Sequence, residues 1–209
     1  LWMAQNFKGQ HDKEGNSLTS YVYDNANNVL YDWNNARAGA PEGWHLPTDE
    51  EWKQLEMYLG LNREQADNTG WRGTNQATKL KDITYNGTDD FGFEALLGGF
   101  RSDAGTLDGI NNSGFWWTSS EYTDATNKWL RTFANDSGSI QRNIGSKDFA
   151  FSVRYVKNSA TVQDIDGNVY DVVEIGGQRW TKQNLKTTQY KDTTDISLVT
   201  SNWSVTNEA

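Results

Sequence analysis

The sequence predicts an α+β domain: two helices followed by a twisted antiparallel sheet. Three observations carry this. A helix with start and stop signals stands near residue 48. From about residue 90 the pattern changes to short apolar runs separated by Gly- and Asn-rich connectors. A chain of 209 residues is long enough for one sizeable core and a small appendage.

The elements follow in order. Val22-Tyr23 predicts a short strand. Val29, Leu30, Trp33 and Ala36 recur at helical spacing, which predicts a helix over 27–38, stopped by Gly39. After Pro47, Thr48 is an N-cap with Glu51 as its capping-box partner. Trp52, Leu55, Tyr58 and Leu59 form the apolar face of this second helix, and Gly60 ends it. Residues 62–70 predict a further short helical piece. Strands are expected at Phe93–Phe100, Phe115–Ser119, Lys128–Phe133, Ser139–Arg142 and Phe149–Val156. Helices first and strands after them place the chain in the α+β class.

Composition excludes several functions. With 19 Lys+Arg against 28 Asp+Glu the formal charge is -9. No nucleic-acid partner is expected, because that needs a basic footprint. Docking on anionic lipid is disfavoured for the same reason. No apolar run reaches the roughly 20 residues of a membrane-spanning helix, so no transmembrane segment is expected. Absent cysteine removes disulfides and thiolate chemistry, and two histidines leave little for a metal cluster. His45 reads as a packed ring and His11 as exposed. Ten Trp in a chain of mean hydropathy -0.82 point to a Trp-rich core or to rings displayed for binding.

An internal echo sets the organisation. Trp2-Met3-Ala4-Gln5-Asn6-Phe7-Lys8 returns as Trp180-Thr181-Lys182-Gln183-Asn184-Leu185-Lys186, at an offset of 178 residues that also aligns Lys13 with Lys191. Before the second copy stands Asp164-Ile165-Asp166-Gly167-Asn168-Val169-Tyr170, a hairpin signal. The expected division is a core over 1–158, then a hairpin and the start of a second repeat over 159–186, then a polar tail over 187–209. The hairpin at 162–180 is expected to complete the core, in cis or from a neighbouring repeat or second copy. An appendage left by a tandem-repeat boundary is the alternative.

Candidate binding residues lie on the later strands. Trp116 and Trp117 are adjacent and must point to opposite faces of a strand. If Leu130 faces the core, Trp129, Arg131 and Phe133 share the other face, a stacking platform for a sugar ring or a peptide side chain. Covering of those rings by loops 60–90 and 101–114 is the competing reading. The segment 134–148 is rich in short polar side chains, which suit recognition and also ordinary turns. Trp117, Asn127, Trp129, Arg131, Asn135, Asp136, Arg142 and Asn143 form the candidate ligand-binding set. Three acidic groups, Asp164/Asp166/Asn168, Asp89/Asp90 and Asp103/Asp108, raise Ca²⁺ as a cofactor. The first lacks the Glu that closes an EF-hand, and a turn with Asx hydrogen bonds explains it, so no cofactor is expected. Nothing assembles a nucleophile, a paired-carboxylate site or a phosphate loop, so no enzyme is expected.

Several strings together carry a resemblance: Gly43-Trp44-His45-Leu46-Pro47-Thr48 with Glu50-Glu51-Trp52, then Ala95-Leu96-Leu97-Gly98-Gly99-Phe100-Arg101. Phe115-Trp116-Trp117-Thr118-Ser119-Ser120-Glu121, Phe151-Ser152-Val153-Arg154, and the two end motifs complete the set. Nearly the whole chain resembles the Fibrobacter succinogenes major paralogous domain of bacterial surface proteins and lipoproteins. The Asp-x-Asp-Gly hairpin comes first in that family, yet here it follows the Ser-Val-Arg strand, as though permuted or exchanged. The resemblance implies a C-type-lectin-like fold and a place at the cell surface or outside the cell, anchored as part of a larger lipoprotein. It also implies a non-catalytic recognition module whose partner is a glycan or protein ligand, bound near 116–145. A structural repeat that assembles by hairpin or strand exchange is the alternative.

Overall fold

The computed structural model describes residues 1–23, 28–175 and 178–197, and the chain divides into two units, Leu1–Asn158 and Ser159–Ala209. In the first unit, strands β1 (Tyr21–Tyr23) and β2 (Asn28–Leu30) pair antiparallel. The helix expected over 27–38 is shorter, α1 (Trp33–Ala38), and residue 27 lies outside the described residues. The reason is local. Val29, Leu30 and Tyr31 are all buried, as strand residues packed on both sides, and Asp32 caps the helix by accepting the Asn35 N–H at 2.9 Å.

Strand β3 (Trp44–His45) leads through Pro47 into α2 (Asp49–Tyr58), where the Thr48–Glu51 capping box forms as the sequence predicts. Of its expected face, Trp52 and Leu59 are buried and Leu55 packs against them, but the buried face is not purely apolar. Tyr58 is exposed, and Asp49, Trp52, Lys53 and Glu56 face inward. Their spacing of three and four residues puts them on one stripe, and buried arginines receive the two carboxylates, as described below. Helix α3 (Arg63–Asp67) follows, capped by Asn62, and then the edge strand β4 (Gly70–Arg72).

The remaining strands of this unit are β5 (Gly98–Arg101), β6 (Leu107–Ile110), β7 (Ser113–Glu121), β8 (Asn127–Ala134), β9 (Ile140–Ser146) and β10 (Val156–Lys157). Six of the strands form one sheet in the order β4-β9-β8-β7-β5-β6. It is not purely antiparallel, because β5 runs parallel to β7 through Gly99 and Gly114. Gly99 has φ +65°, and a Cβ there would lie 2.2 Å from the Asp108 carbonyl oxygen, so only glycine lets β5 approach the β6 backbone on its other side. The strand expected over Phe149–Val156 is regular only at its end. Residues 150–152 each bridge a different neighbour: Ala150 with Arg101, Phe151 with Tyr31 and Ser152 with Trp116.

Register decides what the sheet buries. Arg131 stands opposite both Trp116 and Arg142, and Leu130 stands opposite both Trp117 and Asn143. Opposed residues share a face. One face therefore carries Trp116, Phe133 and Ile140 against Trp52, Phe93, Leu80 and Leu97. The other carries Trp117 and Leu130 against Trp33, Phe151, Val153 and Tyr155. Both faces are filled, which is why a single-sided reading of alternation fails here.

The second unit is a three-stranded antiparallel sheet of β11 (Thr161–Gln163), β12 (Val169–Ile175) and β13 (Gln178–Thr181), with β12 central. The Asp-Gly hairpin forms between β11 and β12, with Gly167 at φ +84°. Gly176 and Gly177 lie outside the described residues.

The echo extends into local structure. Asp12 N–H donates to Asn16 O and Gly15 N–H to Asp12 O; at the same offset, Tyr190 N–H donates to Thr194 O and Thr193 N–H to Tyr190 O. The bridge His11–Ser17 returns as Gln189–Asp195, and Leu18 N–H to Gln10 O returns as Ile196 N–H to Thr188 O. Even the left-handed residue repeats, Gly15 at φ +86° and Thr193 at φ +68°. Residues 187–197, expected as a loose tail, form this turn; 198–209 lie outside the described residues.

Candidate functional site

The candidate set does not converge. Asn127 opens β8 and Asn135 follows its end, so the strand separates them by about 25 Å. Three of the eight side chains are structural. Trp117 is fully buried and its indole Nε1–H donates to Tyr31 O at 2.8 Å. It has no ring face to offer a ligand, which corrects the expectation. Arg131 is also fully buried, donating to Glu56 from Nε and to Asp49 Oδ1 at 2.8 Å from NH1. Arg142 donates to the same Asp49 carboxylate from Nε at 2.9 Å and from NH2 at 2.8 Å.

These arginines anchor α2 to the sheet. Glu56 also takes a two-pronged contact from Arg72, at 2.7 and 2.9 Å. Burial opposes charge on Asp49, yet hydrogen bonds from Arg142 and the charge and hydrogen bond of Arg131 hold its carboxyl well below the usual range. Removing one partner of such a network costs about 3–5 kcal/mol, because the remaining charge stays buried. The forks of Arg131 and Arg142 are taken up by Asp49, Glu56 and backbone carbonyls, so their chemistry is used within the fold.

At the Asn127 end the platform is half-built. Trp129 is half-buried, with the Arg142 guanidinium 3.6 Å from its ring centroid and Tyr122 edge-on at 5.1 Å. One ring face is thus occupied from inside. Asn127 donates its backbone N–H and Nδ2 to Asp124, and exposed Asn143 accepts the Ile144 N–H. These are Asx contacts of turns.

The other end forms a hollow of about 420 Å³ lined by Asn86, Asn112, Ser113, Ala134, Asn135 and Asp136. Its floor is tied together. Asn135 N–H donates to Asn112 O at 2.8 Å, Asn135 Nδ2 to Asn111 O at 3.2 Å, and Asn86 Nδ2 to Asn135 Oδ1 at 2.8 Å. Beneath lies Lys81, 1% exposed, whose ammonium donates to the carbonyls of Ala134, Asn135 and Ser137 at 2.9, 3.0 and 2.9 Å. Burial lowers its pKa and Asp136 opposes that shift. A cation holding three carbonyls pins the 134–137 turn. Asn86, Asn112 and Lys81 were missed in the sequence reading. The Asn-rich stretches were a signal, but Lys79-Leu80-Lys81 reads as an ordinary solvated pair of charges.

The acidic groups serve the backbone. Asp89 Oδ1 accepts the N–H groups of Phe93 and Glu94, Asp103 that of Ala104, and Asp108 that of Gly109. Asp164 accepts the Asn168 N–H and the Tyr170 hydroxyl. Among the described residues no group of three or more His, Asp or Glu is placed to hold a metal ion. His45 lies between Asn158 Oδ1 at 2.6 Å and the Glu51 carboxylate at 2.8 Å. It is tied by side chains on both ring nitrogens.

Among the described residues no helix is long and apolar enough to cross a membrane. No curated protein and no solved structure matches the chain. The model of the Fibrobacter succinogenes major domain matches residues 1–157, most of the chain and the whole span from the Trp2 motif through the six-stranded sheet to β10. The chain belongs to the Fibrobacter succinogenes major domain family, a family of bacterial surface-protein domains.

Proposed function

We propose that Leu1–Asn158 is a non-catalytic recognition module of the bacterial cell surface, with a C-type-lectin-like scaffold, and that it takes a polar glycan at the hollow beside Asn135. The observation that carries this is the pairing of a polar rim with a rigid floor. Asn112 and Asp136 line the rim, while Lys81 and the Asn111–Asn135–Asn86 bonds fix the backbone beneath them. Carboxamides and a carboxylate match sugar hydroxyls as donors and acceptors. A floor already ordered before binding reduces the entropy lost on association.

The end of the sheet near Trp129 is the weaker candidate, because Arg142 and Tyr122 already contact the indole. A glycan array followed by titration of the best hit tests the proposal. Asp136→Asn and Asn112→Ala should each weaken binding about tenfold while leaving the melting transition in place. Binding unchanged in both variants, or lost only with Trp129→Ala, would move the site elsewhere or remove it.

A further inference from the structure

In the first unit the segment 2–8 is seated in a groove. Trp2 bridges Val156, and its ring meets Trp52 at 4.7 Å and Phe93 at 5.9 Å. Asn6 is buried, and its Oδ1 accepts both Trp116 Nε1 at 2.9 Å and Arg154 NH2 at 2.8 Å. Phe7 packs on Tyr31 at 5.4 Å and Tyr155 at 5.0 Å. Arg154 is itself fully buried, so the Asn6 oxygen satisfies a costly group.

The repeated segment keeps four of the seven side chains, as Trp180, Gln183, Asn184 and Lys186, and has Leu185 for Phe7, but it is not buried in this way. Trp180 is 54% exposed, Leu185 63%, and Asn184 is exposed as well. Val162, Ile165, Val169 and Ile175 are also exposed large apolar residues in this small unit. Exposed apolar surface of this kind marks an interaction site. β13 is a terminal strand of its sheet, so one edge remains for pairing.

We infer that Trp180–Lys186 binds the groove of a second copy of the Leu1–Asn158 fold, in place of that copy's residues 2–8. Trp180 takes the position of Trp2 against Val156, Trp52 and Phe93. Asn184 gives its oxygen to Arg154 and Trp116, and Leu185 fills the place of Phe7. The sheet β11-β12-β13 then continues into β10 of the copy, an addition of strands edge to edge. The hydrogen bonds shared by turns 12–16 and 190–194 carry the repeat on past the two segments, from residues into backbone structure.

The absence of cysteine allows a clean test. Leu1 O accepts the Lys157 N–H, so position 179, the equivalent of position 1, should stand opposite Lys157 of the copy at a strand-pair distance that a disulfide spans. One full chain carries Asn6→Ala with Lys157→Cys, which weakens its own segment. A second chain of different tag length carries Arg179→Cys. Mixed under mild oxidation, they should yield a hybrid disulfide on a non-reducing gel. Asn184→Ala in the second chain should reduce that product at least tenfold. No hybrid above the level of random pairing, or a hybrid indifferent to Asn184→Ala, overturns the inference. Near-ultraviolet circular dichroism checks that the first chain is folded. Should Asn6→Ala unfold it, Phe7→Ala with Leu185→Ala as the matched loss repeats the test without depriving Arg154 of its acceptor, and is read in the same way.

Discussion

Trp116 and Trp117 are neighbours in the chain, yet their indoles bury on opposite faces of one sheet, the first 4.5 Å from Phe133 and the second 4.4 Å from Phe151. Each also donates its Nε1–H, Trp116 to Asn6 and Trp117 to Tyr31 O. Alanine at either position should cost about 3–5 kcal/mol. Trp117→Phe keeps a ring and should cost less, on the order of 0.5–1.5 kcal/mol for the lost hydrogen bond, because Tyr31 O still accepts the Phe151 N–H. Urea titration followed by circular dichroism measures both. A surface-like loss below about 0.5 kcal/mol at position 117 would contradict the two-sided core.

Asp49 links α2 to Arg131 and Arg142, and its folded pKa is depressed. The sign follows directly. A depressed carboxyl contributes all of its stability above the ordinary carboxylate pKa of about 3.9, and the contribution is lost as pH falls toward the folded value. Asp49→Asn should therefore destabilise strongly at pH 6, by about 3–5 kcal/mol. The gap between variant and parent should narrow as pH drops below about 4. Denaturant midpoints between pH 2.5 and 6 provide the comparison. A gap that stays constant across that range would mean that Asp49 does not act through its charge.

Lys81→Met retains most of the side-chain volume and removes the ammonium. The carbonyls of Ala134, Asn135 and Ser137 then lose their common donor. Amide exchange in 134–138 should quicken by an order of magnitude or more while that of β7 and β8 stays slow. Any ligand held at the Asn135 hollow should weaken in parallel. Uniformly faster exchange through the whole sheet would assign Lys81 to global stability and not to this turn.

Gly99→Ala should destabilise by about 2 kcal/mol or more, because the left-handed backbone and the Asp108 carbonyl both oppose a Cβ. Gly15→Ala is the contrast. It has a left-handed φ of +86° but no atom within 4 Å of the added carbon, so it carries backbone strain alone. Thermal melts of the two variants should differ, with Gly99→Ala the lower.

The sequence made some of this readable, and the reasons differ by element. The Thr48–Glu51 box was legible because capping is local chemistry. So was the Asp166-Gly167 turn. Trp52, Leu55 and Leu59 of the α2 face were legible too, but its charged part was not, because Asp49, Lys53 and Glu56 look solvated until Arg131 and Arg142, far along the chain, are brought beneath them. Strand alternation at 129–133 was read correctly, but which face is covered depends on α2 and on the segment 149–155, both remote in sequence. The candidate residues scattered for the same reason. Asn127 and Asn135 are eight positions apart on paper, and in a strand that distance spans the length of the sheet.

A sheet filled on both sides behaves as a beam clamped along its span. Its middle tolerates little variation, since every side chain there already has a neighbour above or below, as Trp116, Trp117, Leu130 and Arg131 do. Its rims are less filled, at the 122–127 bend and at Asp136, which is exposed on the turn that Lys81 pins. A lineage that needed new specificities could change the exposed side chains there while leaving the girder between them untouched.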